Sequence, residues 1–152
     1  MRRDQFIPQL IVVSGIQAMD FYKRAFGAEE VARTMTSDGK KLVHGELSLD
    51  GHMFYVSDEF DSSQGGTCKS PHTLGGTGVR ITLYVDNADK MVEQAVEAGA
   101  QVLMPVQDMF WGGRYGKLLD PFGHEWGINQ ERKEQTEAET QEAADEFFKN
   151  RR

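Results

Sequence analysis

The chain has 152 residues, of which 39% are hydrophobic and 27% are charged, and its formal net charge is −7. This length allows one domain of ordinary size, or two small modules that share a core. The acidic balance disfavours nucleic acid as a partner, because nucleic-acid binding requires a basic surface. The chain has no run of about eighteen apolar residues, so the sequence predicts neither a membrane span nor a membrane partner.

The start of the chain and its cysteine content indicate the compartment. Residues 1–5 are mostly polar and include no apolar signal region, and Cys68 is the only cysteine. A single cysteine rules out an internal disulfide and fits a reducing environment. The sequence therefore predicts a cytoplasmic protein.

The first sixty residues predict one βαβββ unit. The apolar segment 7–13, which contains Gln9, indicates a strand. A helix follows and ends before Gly27, which suits a left-handed stop. Ser14 and Gln17 have the spacing of a capping box for that helix. Alternating polarity and turn residues predict three further strands, at residues 31–35, 42–49 and 52–58.

The second half of the chain repeats this pattern after a segment rich in Gly, Ser and Thr. Residues 61–78 form that segment, which is typical of a flexible linker or lid. Asn87 is a favoured N-cap for an amphipathic helix at residues 88–98. The accompanying strands are predicted at residues 79–85, 101–104, 114–119 and 124–129.

Two dipeptides support an internal duplication. The Gly-Ala pair that ends the first helix at Gly27 recurs at Gly99, and the Gly-His pair at Gly51 recurs at Gly123. Both pairs recur at the same offset, which is what a duplicated module produces.

The last segment has a different composition. Residues 131–152 contain neither Gly nor Pro and are rich in Glu, Ala, Gln and Lys. Thr136 and Glu139 could form a capping box for a helix, and Phe147 and Phe148 could dock it on the body or on a partner subunit. The alternative is a frayed, solvated tail.

Both tryptophans lie in an aromatic, glycine-rich block at residues 108–126. Such a block can grip a small ligand, or it can build a hairpin whose tryptophans are core. Alternation places Trp126 and Ile128 on the helix-packed side of their strand, opposite Gly127, so we expect Trp126 to be core. Trp111, Arg114 and Tyr115 then remain as ligand candidates.

Several short motifs occur in the order seen in one known group of proteins. They are DFYKRAFGA at residues 20–28, HGEL at 44–47, SDE at 57–59, SP at 70–71, LGG at 74–76, YVD at 84–86, AGA at 98–100, PVQDMFWG at 105–112 and DPFGH at 120–124. Over residues 6–130 the chain resembles the vicinal oxygen chelate superfamily, which includes glyoxalase I, bleomycin-resistance proteins and extradiol dioxygenases. The motifs are most similar to the PhnB-like branch.

The resemblance implies an α+β fold in a single domain covering residues 1–152. Two paired βαβββ modules, at residues 1–60 and 79–130, would form curved half-barrel cups with helices outside. The linker at 61–78 and a C-terminal helix or tail at 131–152 complete the chain. Many relatives are dimers whose pockets use both chains, so we expect a homodimer.

The resemblance also implies where a metal would bind. The four ligand positions fall on Ile7, Arg80 and Gly127, and on Tyr55 or Asp58 depending on the alignment. Isoleucine and glycine offer no donor, and a guanidinium repels a cation. We therefore predict no metal and no other cofactor. An alternative is a shifted metal site built from His44, Glu46 and Asp58, and a further reading makes these three a hydrogen-bonded polar patch.

The same positions suggest a ligand site. Arg80 in an open cup, and Arg114 beside Trp111, are candidates for binding an anion; the alternative for each is an ion pair, for example with Glu46 or Asp58. His124, in a tight turn, is interpreted as a structural hydrogen-bonding residue. The predicted ligand-binding residues are Gln9, His44, Glu46, Asp58, Arg80, Tyr84, Phe110, Trp111, Arg114 and Tyr115.

Three functions follow from these residues. The first is a metal-independent protein that binds a small molecule. The second is an enzyme, either a lyase or isomerase with a shifted metal or an acid–base catalyst in which Glu46 orients His44. The third is an interaction module that uses the acidic C-terminal helix.

Overall fold

The computed structural model describes residues 6–151. Its strands are β1 (Gln9–Val12), β2 (Glu29–Met35), β3 (Leu42–Leu49), β4 (His52–Asp58), β5 (Arg80–Tyr84), β6 (Gln101–Asp108), β7 (Gly113–Leu119) and β8 (Glu125–Glu131). Its helices are α1 (Gly15–Phe26), α2 (Pro71–Leu74), α3 (Ala88–Ala98) and α4 (Glu137–Lys149), with a 3-10 turn at Ser62–Gln64.

The eight strands form two open four-stranded sheets with the same topology. The strand orders are β1-β4-β3-β2 and β5-β8-β7-β6. In both sheets the first strand of the module pairs in parallel with its last strand, as Gln9 does with Tyr55 and Thr82 with Gly127. The predicted α+β fold of two βαβββ modules with a C-terminal helix is therefore confirmed.

Each sheet packs its helix against one face, and the two helices, α1 and α3, pack against each other. The apolar residues that are almost fully inaccessible to solvent form one cluster across both modules, and they include Trp126, Tyr22, Phe21, Met19 and Leu118. The other face of each sheet remains open. We call these open faces the first cup (β1–β4) and the second cup (β5–β8).

A buried carboxylate joins the two modules. Asp120, in the turn between β7 and β8, accepts hydrogen bonds from Tyr22 Oη at 2.5 Å and from Trp126 Nε1 at 2.9 Å. Burial, reinforced by the charge of Asp120, raises the pKa of Tyr22 well above its usual value. His124 Nε2 lies 2.9 Å from the backbone oxygen of Ile11, a second link between the modules. The core position of Trp126 and the structural hydrogen bond of His124 match the sequence-based expectations.

The start of α1 differs from the prediction. Ser14 adopts a left-handed conformation, with φ of 73°, and its side chain does not cap the helix, so the Ser14–Gln17 capping box is wrong. Asp58, at the end of β4, instead accepts a hydrogen bond from the backbone N–H of Gly15 at 2.8 Å. A cap supplied from another strand is invisible to local spacing rules.

The alternation of β3 is interrupted by a bulge. Thr34 pairs with His44 but Met35 pairs with Leu42, so the register between β2 and β3 shifts there. As a result Leu42 enters the core, whereas the next residue, Val43, is 43% exposed.

The segment 61–78 is more structured than a flexible linker. It contains the 3-10 turn and α2. The Glu59 carboxylate accepts hydrogen bonds from Ser70 Oγ at 2.7 Å and Thr73 Oγ1 at 2.6 Å, which fixes the start of α2 against β4. Within residues 6–151, no helix combines the length and the apolar composition needed to cross a membrane.

Candidate functional site

The second cup is a cavity of about 620 Å³ between the open face of β5–β8 and the end of α4. Strand register builds its floor. Thr82, Gly127 and Lys117 are directly paired across three strands, and so are Tyr84, Asn129 and Tyr115. Paired residues project to the same face of a sheet, so both rows line the cup.

Aromatic rings form its wall. The Phe110 and Trp111 centroids are 5.0 Å apart, and those of Trp111 and Tyr115 are 5.4 Å apart, both in edge-to-face geometry. The indole Nε1 of Trp111 donates to Asn129 Oδ1 at 3.4 Å. Tyr84, 67% exposed, stands at the rim. Four aromatic residues predicted to bind a ligand (Tyr84, Phe110, Trp111 and Tyr115) are thus brought together.

Gly127 is what allows Tyr115 to lie across the cup floor. A Cβ at Gly127 would sit 2.5 Å from Tyr115 Oη and 2.9 Å from its Cε2. Any larger residue at position 127 would therefore displace the phenol of Tyr115. The position that would carry a metal ligand in the superfamily is filled here by a tyrosine ring from the neighbouring strand.

Two cationic side chains line the floor. Arg80 Nε donates to Glu125 Oε1 at 2.7 Å, and this hydrogen bond raises the pKa of the guanidinium. Arg80 is thus in an ion pair, though its partner is neither Glu46 nor Asp58. Lys117 is half-buried, and within residues 6–151 no carboxylate lies within 4.0 Å of its ammonium. The floor therefore has one paired cation and one that can interact with an incoming anion.

Arg114 lies outside this cup. Its guanidinium binds both oxygens of Asp89 on α3, at 2.7 and 2.9 Å, and Asp108 at 3.1 Å. The hydrogen bonds that the guanidinium donates to Asp89 and Asp108 raise its pKa. Because neighbouring residues of a strand point to opposite faces, Arg114 faces the helix when Tyr115 faces the cup. Arg114 is therefore in an ion pair, with Asp89 and Asp108 as its partners. The prediction that it binds a ligand beside Trp111 is corrected, because its guanidinium does not face the second cup.

The first cup gathers a smaller polar set. His44 Nε2 lies 3.1 Å from Glu46 Oε1, and the imidazole meets the Tyr55 ring edge-to-face at 4.5 Å. Gln9 Nε2 donates to Ser57 Oγ at 3.2 Å.

Asp58 does not join the polar set of the first cup. Its carboxylate turns to the helix side of β4, where it accepts the backbone N–H groups of Gly15 and Leu42 at 2.8 and 2.7 Å. Both oxygens are engaged in holding the chain, so Asp58 is a structural residue. The structure therefore does not bring His44, Glu46 and Asp58 together.

The side-chain directions on β4 decide between the two candidates for the uncertain metal-ligand position. Asp58 faces the helix side of β4, whereas the Tyr55 ring contacts His44 in the first cup, so Tyr55 is the candidate that faces a cup. The four positions are then Ile7, Tyr55, Arg80 and Gly127, and these side chains do not fit a divalent cation. Among residues 6–151 no three His, Cys, Asp or Glu side chains are grouped closely enough to hold a metal.

Several residues that line the second cup were not among the predicted ligand-binding residues, and the charged and aromatic ones include Lys117, Phe147 and Arg151. Lys117 follows Tyr115 by two positions, so strict alternation would have placed it on the same face. Phe147 and Arg151 also line the cavity, and their spacing of four residues is that of one helix face. The sequence offered no sign of which surface that face would meet.

Comparison with known proteins identifies the family. Residues 8–128 match the family model described as the Glyoxalase/Bleomycin resistance protein/Dioxygenase superfamily. The chain belongs to this superfamily. The match spans both modules and ends before α4.

The most similar relatives include proteins from bacteria and a plant. An uncharacterized protein of Mycobacterium bovis, Mb0911c, is 41% identical over 123 residues, covering 81% of this chain and 80% of its own. The X-ray structure of the Arabidopsis thaliana protein At5g48480 is 32% identical with a TM-score of 0.65, covering 84% of this chain and 98% of that one.

A more distant solved structure shares the superfamily fold. TioX from Micromonospora sp. ML1 has a TM-score of 0.67 at 24% identity, over 84% of this chain and 98% of its own. At this level of identity the likeness shows the fold alone.

Proposed function

We propose that the protein binds a small, planar, aromatic anion in the second cup and that it does so without a metal. The observation that carries this proposal is the combination of an aromatic wall, Phe110–Trp111–Tyr115, with the ammonium of Lys117 on the same cavity floor. Rings that meet edge-to-face leave other faces available for stacking a flat ligand. A cavity of about 620 Å³ is in the size range of small-molecule sites.

Charge favours an anion over a neutral ligand. The protein has a net charge of −7, yet the cup floor has two cations, Arg80 and Lys117, and one carboxylate, Glu125. An isolated ammonium in a half-buried cavity is stabilised when a ligand brings a negative group to it. Lys117 is therefore the expected contact for the ligand's charge.

The absence of a metal is part of the same proposal. It rests on donor chemistry, because Ile7, Arg80 and Gly127 cannot contribute ligands and the Tyr55 phenol is a weak one. We also carry forward, as proposals, the PhnB-like branch, a cytoplasmic location and the lack of nucleic-acid or membrane partners.

A homodimer is supported by an apolar groove beside β5. This groove of about 790 Å³ runs between the modules and is lined by Phe54, Leu83 and Trp126. Among the described strands β5 pairs with β8 alone, so its other edge is open. An open edge next to an apolar groove is a surface that soluble proteins usually cover.

The test uses two fluorescent probes that differ in one charged group. 8-Anilinonaphthalene-1-sulfonate and N-phenyl-1-naphthylamine share the aromatic frame, and only the first has a sulfonate. We expect the wild-type protein to bind the sulfonate more tightly. K117Q should weaken sulfonate binding about tenfold, since a hydrogen bond to a charged group contributes about 1.5–3 kcal/mol, and should leave the neutral probe unchanged.

The control for K117Q is K90Q, which removes the same charge from an exposed position on α3. Equal affinity of the wild type for both probes, or an equal loss in K117Q and K90Q, would contradict a specific anion site. If protein purified without chelators contains one divalent metal ion per chain, the metal-free part of the proposal is contradicted.

A second candidate function rests on the first cup. Glu46 lies within hydrogen-bond distance of His44, at 3.1 Å, and a carboxylate in that position can orient an imidazole for proton transfer. This arrangement favours an acid–base catalyst, and it uses a cavity face separate from the aromatic wall.

A further inference from the structure

We propose that α4 is a movable lid on the second cup, and that Phe147 in this helix and Arg151 just after it contact the bound ligand. This inference rests on the proposed function and adds to it the element that closes the site. It concerns a part of the chain that follows residue 128, where the family match ends.

One face of α4 is turned to the body of the protein. Thr140, Ala143, Ala144 and Phe147 are the partly buried residues of the helix, and they recur at the spacing of a single helix face. Arg151 lies one turn beyond Phe147 and continues that face. The small alanines allow close approach, and the face ends in an aromatic ring and a cation.

Phe147 extends the aromatic wall. Its ring centroid is 5.1 Å from that of Phe110, and the Phe148 centroid is 6.2 Å from the same ring. The guanidinium of Arg151 lies over Phe147, 4.0 Å from the centroid. With α4 in this position the cavity still has about 620 Å³, so the helix forms a wall and does not fill the site.

Arg151 adds positive charge opposite Lys117. No carboxylate within the described part of the chain lies in ion-pair distance of Arg151, which borders the same cavity as Lys117. A flat anion in the cup would therefore meet a cation on the floor and another on the lid, with rings on either side.

The hinge of the lid is the segment that leads into α4. The backbone N–H of Lys133 donates to Gly112 O at 3.1 Å, and a Cβ at Gly112 would lie 2.5 Å from Lys133 O. The Gln135 amide, with its nitrogen toward the loop, donates to the backbone oxygens of Phe110 and Trp111 at 3.0 and 3.3 Å. These bonds fix the start of the lid beside the aromatic wall.

The rest of α4 makes few contacts with the body of the protein. No residue of α4 is buried, and the Phe147–Phe148 pair supplies its large apolar contacts with the body. The helix has its own complete capping box, with the Thr136 N–H bonded to Glu139 Oε2 at 2.9 Å and the Glu139 N–H bonded to Thr136 Oγ1 at 3.2 Å. An independently capped and weakly docked helix can lift as a unit to admit a ligand and close over it.

Two variants with matched controls test the contacts, and both sulfonate and neutral probes are used. R151Q should weaken binding of 8-anilinonaphthalene-1-sulfonate about fivefold and leave N-phenyl-1-naphthylamine unchanged. K149Q, which removes one charge from an exposed site in the last turn of α4, should change neither by more than about twofold. F147A should weaken both probes about fivefold through lost ring contacts, and E146A, on the exposed side, should not.

Hydrogen exchange tests the lid motion directly. We expect the amides of α4 to exchange several times more slowly when the wild-type protein is saturated with the sulfonate probe. In F147A the same amides should exchange faster than in the wild type even without a ligand, while the β-strands stay unchanged.

The outcomes separate the two proposals. If the wild type binds the sulfonate probe, but R151Q and F147A match their controls and exchange in α4 is unaffected, the lid is refuted and the cup site stands. If the wild type binds neither probe, the proposed cup site fails and the lid fails with it.

Discussion

At the residue scale, one glycine decides what the second cup can be. Gly127 lies under the Tyr115 phenol, and a Cβ there would meet the ring at 2.5–2.9 Å and Thr82 Oγ1 at 3.0 Å. The tyrosine is 8% exposed, so its ring has limited room to move. Because position 127 of β8 has no side chain, the Tyr115 ring occupies the space in which a metal-ligating side chain would otherwise lie.

This contact gives a prediction for G127A. The added methyl group should force Tyr115 out of position and lower the free energy of unfolding by about 1–3 kcal/mol, the usual cost of overpacking. It should also weaken binding of both naphthalene probes. Urea unfolding and probe titration are the measurements.

The control is G78A, because a Cβ at Gly78 meets no atom within 4 Å. Its unfolding free energy should stay within about 0.5 kcal/mol of the wild type. If G127A is as stable as G78A and binds normally, Tyr115 is not confined as described.

At the element scale, an acidic residue at the end of β4 organises the segment between the modules. Glu59 accepts hydrogen bonds from Thr73 and Ser70, and these bonds lower its pKa from 4.5 to about 2. A carboxylate whose pKa is lower in the folded than in the unfolded state stabilises the folded state at pH values above its unfolded-state pKa. This stabilisation is lost as the pH falls through the folded-state pKa. The attachment of α2 should therefore weaken between about pH 4.5 and pH 2.

E59Q tests this attachment. A glutamine cannot titrate and forms weaker hydrogen bonds, so residues 61–78 should exchange amide protons faster at pH 7 than in the wild type. The exchange of the α2 amides, corrected for the intrinsic pH dependence, should no longer respond to pH between 4.5 and 2. E93Q, in α3, is the control and should keep the wild-type response. An unchanged response in E59Q would contradict the role of Glu59.

At the scale of the whole molecule, the modules are joined by helix packing and by Asp120. Besides Tyr22 and Trp126, this carboxylate accepts the backbone N–H groups of Phe122 and His124 at 2.8 and 3.0 Å. Tyr22 is 0% exposed and Trp126 is 1% exposed, so their polar atoms have no access to water without Asp120. A buried network of this kind links the unfolding of one module to that of the other.

D120A should therefore destabilise both modules together. Four donors lose their acceptor, and we expect the free energy of unfolding to fall by about 3 kcal/mol or more. Far-ultraviolet circular dichroism and tryptophan fluorescence should still report one shared transition, because α1 and α3 also pack against each other. The exposed Asp86 provides the comparison, and D86A should lie within about 0.5 kcal/mol of the wild type. A D120A variant as stable as D86A would contradict the structural role of Asp120.

The fold and its internal symmetry could be predicted from the amino-acid sequence. Glycines that end helices, alternation in the strands and the order of the motifs are local signals, and they fixed the element bounds of α3, β3 and β4 as the structure has them. The capping box at Thr136 was equally local and is present. Trp126 could be assigned to the core because alternation around Gly127 sets its face.

The contacts between polar groups could not be predicted in this way, and the folded chain was needed to find them. Asp58 and Glu46 were grouped by sequence, yet β4 turns Asp58 toward the start of α1, where it replaces the cap expected from Ser14. Arg114 and Arg80 had the same candidate role, but α3 brings Asp89 to Arg114 on one face and β8 brings Glu125 to Arg80 on the other. Phe147 and Arg151 meet the second cup through a helix docked from outside the matched modules. Contacts between distant segments depend on register and docking, and local propensity and spacing do not encode these.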